Sequence, residues 1–213
     1  MKFCVIGLGR FGYQLAETLA ENGMEVMAID SNESIVASIK DKVTHAITMR
    51  VTDEESLRQI GVDEMDTVIV AMGENFAQTI LITALLKKRL NVPYVIARAI
   101  NQIHKEILTL IGADRVILPE KEIGIKLADS LSSPFTDLVR LTKDFSISQV
   151  VAPKKFVGKS IEKLELFEKY QVYCIGVKKN GTIDSVEKKY SIKDGDRLIL
   201  SGHNEDLEKI TKL

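Results

Sequence analysis

Apolar positions in the first two thirds of the chain fall into two alternating textures. Short continuous runs rich in Val and Ile occupy residues 2–6, 25–29, 45–48, 67–71, 94–98 and 115–118. Runs this short and unbroken are expected of parallel strands covered on both faces. Between them the apolar residues recur at helical spacing, as in Phe11, Leu15, Ala16 and Leu19, or Ile80, Thr83, Ala84 and Lys87. Punctuation agrees: Asn22-Gly23 ends the first helix, Thr52-Asp53-Glu54-Glu55 reads as a capping box, and Asn91-Val92-Pro93 stops the long helix. Six strands alternating with helices predict an α/β fold, a Rossmann-like doubly wound parallel sheet.

The texture changes after Pro134. A strand at 147–151 and a short helix at 160–170 precede two strands, 172–178 and 182–186, around Lys179-Asn180-Gly181, a hairpin-turn signal. A turn at Asp194-Gly195-Asp196 feeds a strand at 197–201, and Asn204 is placed to cap a last helix reaching Leu213. This is a second, smaller α+β domain. The expected division is 1–134, including a linking helix at about 120–132, and 135–213.

Composition narrows the function. The 213 residues sum to a net charge of −1, which removes any whole-chain electrostatic case for binding nucleic acid or a lipid surface. The sum hides an asymmetry: residues 1–134 carry 14 basic against 18 acidic side chains, and residues 135–213 carry 15 against 12. No apolar run approaches the ~18 residues that span a bilayer. Met1 to Gly7 reaches glycine too early for a secretory signal. Cys4 and Cys174 lack C-x-x-C partners, and His45, His104 and His203 lack ligand spacing, so neither a disulfide framework nor a zinc site is expected. The expected location is cytoplasmic.

The chemistry concentrates in Gly7-Leu8-Gly9-Arg10-Phe11-Gly12, a G-x-G-x-x-G that follows the first strand and opens the first helix. Gly7 permits the tight turn, Gly9 leaves no Cβ between backbone and pyrophosphate, and Gly12 lets helix and strand pack closely. The helix N-terminus supplies free N–H groups and a positive dipole. Asp30, at the end of the second strand, is placed to accept from ribose hydroxyls and repels a 2′-phosphate; Ser31 follows it. Arg10 adds a cation beside the phosphates. A catalytic half is missing: none of the five tyrosines begins Y-x-x-x-K, and no His or Cys stands in an acid–base or nucleophile setting. The pattern favours a nucleotide sensor over a catalyst, with an NAD(H)-binding sensor or NAD-dependent oxidoreductase as the alternative.

The segments Val5 to Gly12, Ala28-Ile29-Asp30, Val68 to Gly73, and Ile111-Gly112-Ala113-Asp114-Arg115-Val116-Ile117-Leu118-Pro119-Glu120 resemble the RCK/KTN family, regulators of potassium conductance. The resemblance covers essentially the whole chain. It implies a cytoplasmic, non-enzymatic gating subunit docked on a membrane-embedded potassium transporter of Ktr or Trk type, touching neither nucleic acid nor lipid. It also implies homodimers assembled into an octameric ring that changes shape with ATP or ADP. Gly7, Gly9, Arg10, Phe11 and Gly12 match the family's phosphate loop, Arg10 matching an arginine that also reaches across the dimer. Asp30 matches the ribose acid; Ala71, Met72 and Gly73 match the loop beside the nucleotide; Arg98 matches a basic position near the phosphates. Glu120 matches an acid associated with a divalent cation, although an acid at a helix start also complements the dipole without any metal. The second domain matches one that can bind cyclic di-AMP. One departure stands out: Met49-Arg50-Val51-Thr52 puts Arg50 where the family's adenine loop carries an acid or amide. Arg50 is therefore expected either to stack on the base or reach a phosphate, or to weaken adenine selectivity.

Overall fold

The structure, a computed structural model, describes residues 1–73, 75–132, 138–179 and 181–213. Pro134, the expected seam, and Asn180 of the hairpin turn lie outside the described residues. By internal contacts the chain divides into Met1–Glu122 and Ile123–Leu213, within one helix.

In the first unit, β1 (Lys2–Ile6), β2 (Glu25–Asp30), β3 (His45–Thr48), β4 (Thr67–Val70), β5 (Tyr94–Arg98) and β6 (Arg115–Ile117) alternate with helices α1 (Arg10–Glu21), α2 (Glu33–Ile39), α3 (Glu54–Gln59), α4 (Phe76–Lys88) and α5 (Gln102–Ile111). All strand pairs are parallel, in the order β3-β2-β1-β4-β5-β6. That is the doubly wound order, and its direction of winding reverses between β1 and β4. The central strands bury both faces. Along β1, Cys4 and Ile6 join a core with Leu57, Ile82 and Leu86, while Val5 joins the opposite core with Ala16, Ala28 and Ile39. Two-sided burial is why the strands read as unbroken apolar runs rather than alternating ones.

Capping differs from the sequence expectation at α3. The cap residue is Asp53, not Thr52: its carboxylate accepts from Ser56 N, and the Ser56 hydroxyl returns the bond to the Asp53 N–H. Serine thus takes the role expected of Glu55 one position earlier.

Helix α6 (Pro119–Ser132) runs unbroken across the division of the chain. In the second unit, β7 (Leu138–Arg140), β8 (Phe145–Val151), β9 (Tyr173–Lys179), β10 (Thr182–Ser185) and β11 (Arg197–His203) form an antiparallel sheet in the order β10-β9-β11-β8-β7. Val150, Val177, Leu198 and Leu200 pack on Leu207 and Ile210 of α9 (Asn204–Thr211). The single helix expected at 160–170 is two, α7 (Ile161–Leu164) and α8 (Leu166–Tyr170), broken at Glu165 with φ +48°. Leu164 and Leu166 are both buried. Positions two apart lie on different sides of a continuous helix, and the break turns both inward. Asn204 does not cap α9; its Oδ1 instead accepts a hydrogen bond from Ser146 Oγ and its Nδ2 donates to the Lys143 carbonyl.

Candidate functional site

The switch point between β1 and β4 opens into a cleft of about 1010 Å3 at the carboxyl ends of the strands. Its floor is set by an interlock. Gly7 has φ +96°, and a Cβ there would lie 2.9 Å from Met72 Cγ and 3.0 Å from Met72 N. At Gly12 a Cβ would lie 1.9 Å from the Gly7 carbonyl oxygen, so helix α1 touches the strand backbone directly. Gly9 serves differently: a Cβ there would meet nothing within 4 Å, so the helix N-terminus opens onto free space. The first turn of α1 carries no acidic residue, and Arg10 is exposed at its start. Unpaired amides, a helix dipole and a guanidinium therefore converge where an anion would lie.

Asp30 holds this loop in place. Its Oδ2 accepts from Leu8 N at 2.6 Å and its Oδ1 from Asn32 N at 2.8 Å. Capping of α2 falls to Asn32, whose side chain accepts from Ser34 N and Ile35 N, leaving the Asp30 carboxylate on the cleft wall. Each carboxylate oxygen can still accept a further donor, such as a ribose hydroxyl.

The opposite rim comes from β4 and β5. Ala71, Met72 and Gly73 line the cleft, and the Arg98 guanidinium fills the space a side chain at Gly73 would need. The Arg98 Cζ stands 5.9 Å from the centre of the Phe11 ring, and Arg98 Nη2 donates to Glu120 Oε1 at the start of α6. Arg98 Nε is buried with no hydrogen-bond partner among the described residues. The Arg98 side chain is 17% exposed and that of Glu120 68%. The Glu120 carboxyl is held below its ordinary value by its own backbone N–H, then by Arg98, against a desolvation cost.

Nine of the expected residues, from Gly7, Gly9, Arg10 and Phe11 through Asp30 to Ala71, Met72, Gly73 and Arg98, meet at this cleft together with Glu120. Ser31 and Arg50 line an adjoining lobe of about 280 Å3 that shares Gly7, Asp30, Met72 and Asn75 with the main cleft. Gly12 lines neither; its part is packing. Both volumes are on the scale of small-ligand sites. The Glu120 carboxylate is paired with Arg98, and no group of three His, Cys, Asp or Glu side chains fit for a metal occurs among the described residues. Asn75 and Gln78, both on the lobe wall, were not singled out from sequence. Asn75 precedes the apolar run of α4, and that cap signal would have found it.

Comparison with known proteins agrees with this arrangement. The TrkA-N domain model matches residues 3–119 and the TrkA-C domain model residues 146–213. The chain is 37% identical over 210 residues to the Ktr system potassium uptake protein A of Bacillus subtilis, covering 98% of this chain and 94% of that one. It is 34% identical over 213 residues to protein C of the Ktr system in the same organism, covering 99% and 96%. Among solved structures, the GsuK RCK domain matches with a TM-score of 0.67 at 16% identity, over 100% of this chain and 47% of that one. The GsuK channel bound to NAD matches with the same TM-score and identity, over 99% and 39%. The chain thus spans less than half of the GsuK chains, and that likeness speaks to fold. On the two domain models and the Ktr relatives together, this chain belongs to the RCK family of Ktr-type potassium uptake proteins.

Proposed function

We propose that the chain is a nucleotide-sensing regulatory subunit, without catalytic activity of its own, of a Ktr- or Trk-type potassium transporter. Residues 1–134 would form the nucleotide-binding part and residues 135–213 a second sensing part. Gly7, Gly9 and the amides opening α1 hold the phosphates, Asp30 the ribose, and Ser31 and Arg50 flank the base. Phe11, Ala71, Met72 and Gly73 wall the site, with Gly12 behind them as packing.

The observation that carries this reading is the Arg98–Glu120 pair. One arginine faces the phosphate end of the cleft and also holds the first turn of α6. A terminal phosphate competes with Glu120 for that guanidinium, so ATP and ADP differ in how far they draw Arg98 from α6. A ligand shifts a conformational equilibrium only by its differential affinity for the two states, and couplings of this kind are typically about 1–3 kcal/mol. Glu120 acts here as the counter-charge of Arg98 rather than as a ligand of a divalent cation. Arg10 reaches a phosphate from its own or a neighbouring subunit, in a homodimer that builds an octameric ring on the cytoplasmic face of a membrane partner. No helix among the described residues is long and apolar enough to cross a membrane. The TrkA-C match at residues 146–213 supports a second ligand such as cyclic di-AMP, with which the excess of basic side chains in residues 135–213 is compatible.

Equilibrium binding of ATP, ADP, NADH and cyclic di-AMP to the purified chain tests this. Distinct affinities for ATP and ADP are expected. Absence of adenine-nucleotide binding at millimolar concentration sinks the gating reading, and tight NADH binding with indifference to ATP replaces it with a redox sensor.

A further inference from the structure

The lobe next to Asp30 is where a base would lie, and its hydrogen-bonding character can be read from who is already bonded to whom. Its floor is apolar: Ile6, Ile29, Met49, Val51 and Met72. Its polar wall is built by the start of α4. Gln78 Nε2 donates to the Val51 carbonyl at 2.5 Å, Asn75 Nδ2 donates to Gln78 Oε1 at 3.2 Å, and Gln78 N donates to Asn75 Oδ1 at 3.1 Å. The Met72 carbonyl accepts from Thr79 Oγ1 and the Asp30 carbonyl from Met49 N. Acceptor after acceptor along this wall already has a donor.

What stays available is of the other kind. Each side-chain amide keeps a second N–H, and Arg50, exposed on the lobe, makes no hydrogen bond or ion pair among the described residues. The Ser31 hydroxyl can serve in either sense. A base edge carrying acceptors finds partners here; an exocyclic amino group must share the Val51 carbonyl with Gln78 and meets a guanidinium beside it. Arg pairs in bidentate fashion with the O6 and N7 acceptors of a 6-oxopurine.

We infer that this lobe is a donor-lined base site that does not select adenine's 6-amino group and takes a 6-oxopurine nucleotide at least as well, with Arg50 as the specificity residue and Gln78 positioning its loop. This rests on the reading of the main cleft as a nucleotide site. Asp30 and the glycine loop handle ribose and phosphate alike for either purine, so discrimination is left to the lobe.

The test is binding of ATP and of inosine 5′-triphosphate, which carry the same ribose and phosphates, to the full chain and to Arg50→Asp. Arg50 is exposed and without a described partner, so the variant is expected to fold; circular dichroism checks it. Expected are an inosine triphosphate affinity equal to or above that for ATP in the unaltered chain, and a shift of about tenfold toward ATP in Arg50→Asp, whose carboxylate can accept from the amino group. A threefold or greater preference for ATP in the unaltered chain, or a ratio in Arg50→Asp within threefold of the unaltered one, overturns the inference while leaving the nucleotide site standing. If neither triphosphate binds at millimolar concentration, the nucleotide reading falls and this inference with it.

Discussion

Arg98 donates through Nη2 to Glu120, and its buried Nε has no partner among the described residues. The arginine is thus tied on one side and unspent on the other, and the unspent nitrogen belongs to a side chain lining the cleft. Removing Glu120's charge should free the guanidinium for a ligand. Glu120→Gln is expected to bind ATP about two- to fivefold tighter, the size of a partly exposed ion pair. Arg98→Ala should bind at least tenfold weaker. Isothermal titration of both variants checks this; unchanged affinity in both would remove Arg98 from the site.

Two glycines of the same loop should behave in opposite ways. Gly12→Ala puts a methyl into the Gly7 carbonyl and is expected to destabilise the first unit by about 1–3 kcal/mol or more. Gly9→Ala meets nothing in the protein and should unfold at nearly the original urea concentration, yet lose nucleotide affinity because its methyl occupies the space over the helix N-terminus. Urea midpoints and binding, measured side by side, separate the two.

The cap of α3 offers a sharper local test. Asp53→Ala removes the side chain that accepts from Ser56 N and is expected to cost about 1 kcal/mol. Thr52→Ala should cost only a few tenths, since its hydroxyl only donates to the Asp53 carboxylate. Reversed magnitudes in thermal denaturation would restore Thr52 as the cap.

Stability should also respond to pH through His104. The imidazole is buried against Phe76, with ring centres 4.3 Å apart, and Nε2 has no partner among the described residues. Desolvation lowers its pKa below the ordinary value of 6.5. With the folded value below the unfolded one, the unfolded chain takes up the proton first. Stability contributed by the neutral ring is therefore whole at pH 8 and falls as pH drops below about 6.5 toward the folded pKa. His104→Gln should flatten that part of the melting-temperature profile between pH 7 and 5; an unchanged slope assigns the pH response to other groups.

Much of the site was legible because its residues act through backbone geometry that spacing encodes. Gly7, Gly12 and Asp30 could be placed by counting along the chain, since a strand, a tight turn and a helix admit few arrangements. Gln78 could not, because its role depends on α4 meeting the Val51 loop 27 residues away in sequence. The break at Glu165 escaped notice for a related reason. Local propensity favours a continuous helix there, and the need to bury both Leu164 and Leu166 overrides it. Cap assignment slipped by one residue at α3 because Thr and Asp are both good caps and adjacent.

The contact of Gly7 with Met72 has a consequence for how such a site can change over time. Backbone meets backbone there, so neither strand can shift without the other, and the two halves of the sheet are pinned where the ligand would lie. A floor that cannot deform leaves adaptation to the rim. Arg10 opens α1 after β1, Arg50 follows β3, and Arg98 ends β5, so the three stand on separate parts of the chain around that floor. New ligand preferences are thus within reach of single substitutions, while the frame that presents them stays fixed.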